Sequence, residues 1–200
     1  PVALGYLPVA VTFGLLARQA GLSASQAVGM SLWVYAGASQ FLALQMIATG
    51  AGLPQIVLAT FILNFRHFLM STTLAQRLHL RGPITPLLAH GITDETFVVA
   101  SIEHDRSPLS VHAFAGLALC AHAAWVLGTL AGSLLVALVP PRLADALGIG
   151  LYALFIALLV PSARANWRAG LTAAASALAA WALRRSAPGL SGGWVLILAT

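Results

Sequence analysis

Apolar residues run in long stretches along this chain, and the polar interruptions between them are short and rich in arginine, glycine and proline. Residues 1–17 carry no charge, 47 uncharged residues separate Arg18 from Arg66, and 35 separate Arg106 from Arg142. A helix rising 1.5 Å per residue needs about 20 apolar residues to cross about 30 Å of hydrocarbon. The pattern therefore predicts membrane helices. Turn signals divide the long stretches: Arg18 and Gly21-Leu-Ser-Ala-Ser-Gln26, which also supplies a helix cap, then Gly50-Ala-Gly-Leu-Pro54, then Arg77 to Pro83, then Pro140-Pro141-Arg142. The spans predicted between them are residues 1–17, with Pro8 kinking the helix, about Ala27–Thr49 and about Gln55–Ala75. They continue with a weak segment over 85–101, the long run Leu109–Val139, then Leu143–Val160, Gly170–Leu183 and Gly192–Thr200.

The 31 residues from Leu109 to Val139 fit a long tilted helix, or a helix followed by a half-span. No alternating ten-residue pattern argues for a barrel. The fold class expected is all-α, a polytopic transmembrane bundle of about seven or eight helical segments with room for broken or re-entrant ones. Residues 1–200 read as a single integral membrane domain. The chain begins at Pro1 and its last span is short, so truncation at the N-terminus and near the C-terminus is expected.

Composition agrees: 60% of side chains are hydrophobic and 8% charged, against about 25% charged in soluble domains. Mean hydropathy is +0.91. A water-soluble globule is excluded. The net charge of +5 raises nucleic acid as a partner. Nine of the ten arginines, however, lie in the polar breaks, where basic residues set topology and meet lipid headgroups. No nucleic-acid partner follows. Cys120 is the single cysteine, so no intramolecular disulfide forms.

Polar residues inside apolar segments carry the candidate chemistry. In span two, Ser31, Tyr35 and Ser39 repeat at i, i+4 and predict a polar stripe, with Gln40 beside it. In span three, Thr60, Asn64, His67 and Ser71 form another, and Arg66 lies near the middle of the span. A mid-membrane arginine costs about 2.5–3.5 kcal/mol on insertion scales, so a counter-charge is expected. Asp94 and Glu95 are the acidic candidates, and His90, four residues from Asp94, is a candidate to share their proton. Gly128 and Gly132, extended by Ala124, predict close helix packing.

Ser39 with His67, His112 or His122 supplies the residue types of an intramembrane serine protease, but the types alone are not specific. Six histidines with Asp94 and Glu95 make a divalent-metal transporter of the nickel or cobalt kind the better rival. His90 and Asp94 are separated by three residues, unlike the His-x4-Asp-His of those permeases. No dense ligand cluster, cofactor motif or resident metal is read, and no catalytic residue is assigned.

Tyr35-Ala-Gly-Ala-Ser-Gln-Phe41, Leu63-Asn-Phe-Arg-His-Phe-Leu-Met70 and Thr93-Asp-Glu95 followed by Phe97 together resemble the azaleucine-resistance (AzlC) family. Gly5-Tyr-Leu-Pro8 and Leu151-Tyr-Ala-Leu-Phe155 extend the resemblance over about residues 4–160. It implies a multi-pass protein of the bacterial inner membrane, the large subunit of a two-component exporter of branched-chain amino acids. It also implies a small membrane partner of the AzlD type. A zwitterion with an aliphatic side chain needs donors, acceptors and an apolar pocket, expected here in a cavity between spans two, three and four. Ser39, Gln40, Asn64 and Arg66 are the candidate substrate-binding residues. His67, Asp94 and Glu95 are the candidates for carrying a coupling proton.

Overall fold

A computed structural model describes residues 2–78, 82–106, 108–138, 166–187, 189–190 and 192–199, with Ile156, Leu159, Val160, Ala163 and Arg164. Every regular element among them is helical. They fall into two compact units, residues 1–40 with 63–139 and residues 41–62 with 140–200.

The first unit is built on α1 (Val2–Gln19) and α7 (Val111–Leu135). The glycines make their contact close. A Cβ added to Gly132 would lie 2.0 Å from the Val11 carbonyl oxygen, and one added to Gly14 would lie 2.1 Å from that of Thr129. Gly128 faces Ala10 in the same way, at 2.7 Å. The small-xxx-small line therefore acts as expected, letting backbones touch where lipid offers no hydrophobic drive between helices. The long fifth segment is one helix of 25 residues, capped by Ser110 and ending in a 3-10 turn, Val136–Leu138. At 1.5 Å per residue it is about 38 Å long, enough to cross with tilt.

Span two departs from expectation. It is two helices, α2 (Ala24–Trp33) and α3 (Gly37–Ala48), separated at residues 34–36. Tyr35 holds a left-handed φ of 39°, which no continuous right-handed helix admits. Ser31, Tyr35 and Ser39 therefore do not share one stripe. Helix α2 starts where predicted: Ser23 accepts from the Gln26 N–H and the Gln26 side chain accepts from the Ser23 N–H, a reciprocal cap. Gly21, at φ 88°, makes the turn before it.

Span three is the 25-residue α4 (Leu53–Arg77). The weak segment over 85–101 is again two helices, α5 (Ile84–His90) and α6 (Asp94–Arg106). Thr93 and Thr96 cap α6 by bonding each other's backbone N–H, at 3.3 and 2.8 Å. Leu74, Leu88, Ile92, Ala100, Phe114 and Ala118 form the apolar core joining α4, α5, α6 and α7.

The second unit holds the end of α3, a turn with Gly50 at φ 73°, the start of α4, and α8 (Trp167–Ser186) packed on α9 (Gly192–Ala199). The predicted span Leu143–Val160 and the motif Leu151–Phe155 lie outside the described residues, apart from Ile156, Leu159 and Val160. Helices α1, α4 and α7 are each long and apolar enough to cross a membrane. At 1.5 Å per residue, α2 with α3 add about 33 Å and α5 with α6 about 30 Å. Each pair thus matches one crossing with a break inside it.

Candidate functional site: a cavity at two helix breaks

Broken helices leave backbone groups without intrahelical partners, and hydrocarbon supplies none. At the end of α2 two histidines answer this. His90 Nε2 lies 3.0 Å from the Leu32 carbonyl and His122 Nε2 lies 3.3 Å from that of Ser31. Carbonyls only accept, so each ring carries its hydrogen on Nε2 in these bonds. Tyr35 packs against both rings, at centroid distances of 5.8 and 4.3 Å, and its φ is held by these neighbours. Such strain costs about 1–3 kcal/mol and persists only where packing imposes it.

A closed ring of hydrogen bonds then joins the two sides of the break to α7. Trp125 Nε1 donates to Gln40 Oε1 at 2.8 Å, and Gln40 Nε2 donates to Ser31 Oγ at 3.1 Å. Ser31 meets Thr129 Oγ1 at 2.7 Å, and Thr129 donates to the Trp125 carbonyl at 2.9 Å. Thr129 has one hydroxyl hydrogen, so Ser31 must be its donor. Ser31, Gln40 and Thr129 are fully buried. Gly37 sits where a Cβ would lie 2.9 Å from the Trp125 ring, so the start of α3 can press against it.

The second break, Gly91 to Thr93, packs on α7, where a Cβ on Gly91 would lie 2.5 Å from that of Ala118. Asp94 and Glu95 fall in the first turn of α6, where the helix dipole favours negative charge. Arg66 Nη1 from α4 binds Asp94 Oδ2 at 2.9 Å, which supplies the counter-charge that mid-helix arginine demands. Glu95 takes a different partner. Tyr6 of α1 donates to Glu95 Oε2 at 2.5 Å and also contacts Thr93 Oγ1 at 2.5 Å.

Between the breaks and α4 lies a cavity of about 200 Å³, lined on one side by Val34, Tyr35 and Ala36, on another by Asn64 and His67, and on the third by Ala89, His90 and Ile92. Of the residues expected to form a site, Asn64 and His67 line it. Ser39, buried beside the first break, donates its hydroxyl to Asn64 Oδ1. Arg66, between Asn64 and His67 on α4, pairs with Asp94 at the start of α6, and Glu95 bonds Tyr6 of α1. Gln40 is held in the closed ring with its carbonyl and amide both engaged.

His90 and Asp94 do not sit on one helix as their spacing suggests, because the break separates them, and His90 Nε2 turns to the Leu32 carbonyl. Thr60 bonds back to the Ile56 carbonyl of its own helix, so the predicted α4 stripe narrows to Asn64 and His67 at the cavity. Among the described residues Ser39 forms no hydrogen bond to a histidine, and no three of His, Cys, Asp and Glu converge as metal ligands.

Tyr6, Trp125 and Thr129 were not singled out as site residues. Tyr6 contacts Glu95 across 89 residues of sequence, and Trp125 contacts Gln40 across 85. No local pattern encodes such pairings. A tryptophan and a threonine one turn apart on α7, facing a buried glutamine, were the only available hint.

These features define a multi-pass helical membrane protein with two discontinuous helices beside an open cavity. The family model described as AzlC protein matches residues 1–139, and the chain belongs to that family. It is 40% identical over 197 residues to an uncharacterized membrane protein of Archaeoglobus fulgidus, covering 95% of this chain and 84% of that one. It is 35% identical over 183 residues to inner membrane protein YgaZ of Escherichia coli, covering 87% and 74%. An uncharacterized membrane protein of Helicobacter pylori is 34% identical over 134 residues, covering 66% and 59%. No solved structure matches the chain significantly.

Proposed function

We propose that the chain is the large subunit of a two-component exporter of branched-chain amino acids, working in the cytoplasmic membrane with a small AzlD-type subunit and driven by protons. The cavity at the two breaks is the observation that carries this reading. A cavity of about 150 Å³ already holds benzene, so about 200 Å³ suits a small metabolite with a four-carbon side chain. Val34, Ala36, Ala89 and Ile92 offer aliphatic wall, while Asn64 and His67 offer polar groups on the facing helix.

Helices α3 and α6 begin at the cavity edge, and the positive ends of such half-helices favour a carboxylate. Asn64 receives the Ser39 hydroxyl on its oxygen, which leaves its amide hydrogens for a substrate carboxylate. In this reading Ser39, Asn64 and Arg66 orient the carboxylate, and Gln40 acts from behind by fixing the break. The acidic pair meets the ammonium. The carrier of the coupling proton lies among His67, Asp94 and Glu95.

Proteoliposomes loaded with labelled leucine, with and without the small subunit, test this. Saturable efflux that valine and isoleucine compete is expected only with both subunits present. Absence of leucine flux alongside nickel or cobalt flux would transfer the assignment to a metal transporter.

A further inference from the structure

Two carboxylates stand side by side at the start of α6, but their partners differ in kind. We infer that Glu95, held by Tyr6, is the group that takes up and releases a proton, while Asp94 keeps its charge against Arg66. The inference rests on the export reading only for what that proton drives.

Protonating Asp94 would break the 2.9 Å pair and leave the Arg66 guanidinium without its counter-charge. Protonating Glu95 leaves nothing unpaired, which follows from counting hydrogens. Tyr6 has one hydroxyl hydrogen and gives it to Glu95, so Thr93 must donate to Tyr6. When a proton from water binds Glu95, the carboxyl becomes the donor and Tyr6 the acceptor. The Tyr6 hydrogen then turns to Thr93, and the Thr93 hydrogen turns to Thr96 Oγ1, 3.3 Å away. Thr96 keeps its own hydrogen on the Gly91 carbonyl at 3.0 Å throughout. Every oxygen is satisfied in both states, and the charge on Glu95 changes from minus one to zero. Tyr6 is a positioning residue in this chain.

The surroundings suit such a chain. Around Glu95, α1 presents Tyr6, the first break Tyr35, α4 Arg66 and His67, and α6 Asp94. Helix α7 presents the uncharged ring of Trp125, 5.2 Å from that of Tyr6. The Tyr35 hydroxyl is buried, and its ring stands 6.5 Å from that of Tyr6. Tyr35 also lines the cavity. Thr93 also caps α6, so the chain links the second break to α1.

Infrared titration of the protonated-carboxyl band in the purified protein tests this without any transport assay. The chain has five carboxylate side chains, and one component of the band that appears as pH falls should be lost in Glu95→Gln and kept in Asp94→Asn. Its midpoint should move in Tyr6→Phe, because the hydrogen-bond partner of Glu95 is lost. Thr93→Ser should leave the midpoint in place and Thr93→Val should move it. A band that loses no component in Glu95→Gln, a loss of that same component in Asp94→Asn, or an unmoved midpoint in Tyr6→Phe would overturn the inference. Absent leucine efflux with these infrared results intact would instead count against the export reading alone.

Discussion

Gln40 shows how a buried amide in an apolar segment becomes a fixed point of structure. Its side chain closes a ring through Ser31, Thr129 and Trp125, and all of its hydrogen-bond partners are buried. Gln40→Leu keeps the volume and removes both ends of the bridge, leaving the Trp125 N–H unsatisfied. Buried orphans cost about 1–3 kcal/mol, although bonds between membrane helices average nearer 0.6 kcal/mol. A loss of about 1–3 kcal/mol in detergent-solubilised unfolding is therefore expected, and an unchanged stability would show that the ring carries no load. The sequence marked Gln40 as a residue that apolar surroundings must satisfy. It could not tell that the partners lie on α7, because a contact across 85 residues leaves no local periodicity.

At the scale of helices, turns encoded by glycine, proline and arginine were legible, as were the lengths of α1, α4 and α7. The second break was not marked within the weak segment 85–101, because the fit of Gly91 against Ala118 exists only in the folded state. The first break was not legible. Val34-Tyr35-Ala36 continues an apolar run, and a bulky residue at φ 39° is disfavoured locally. It is held by rings from α1, α5 and α7 that meet Tyr35 only in the folded state. The α1–α7 contact, by contrast, rests on glycines whose spacing is plain. Gly132→Val should prevent this contact, because the added atoms would fall onto the Val11 backbone. Gly116→Ala, on the same helix with open space at its Cβ, should be tolerated. Equal monodisperse yields for the two variants would refute close α1–α7 packing.

For the whole molecule, the central point is where charge and backbone irregularity collect. Arg66, Asp94, Glu95 and both helix breaks belong to one compact unit, around a cavity that α4 faces with Asn64 and His67. Irregular backbone at membrane depth is stable only in protein or beside water, and the proposed binding chamber lies at both breaks. The family match over residues 1–139 covers all of these residues. Cysteine accessibility tests the chamber most directly. With the exposed Cys120 replaced by serine, single cysteines at Ala36 and Ala89 should react with a membrane-impermeant thiol reagent, and leucine should slow both reactions. Cysteines that stay unreactive in the folded protein, or react at a rate leucine does not change, would contradict a wet amino-acid site at the breaks.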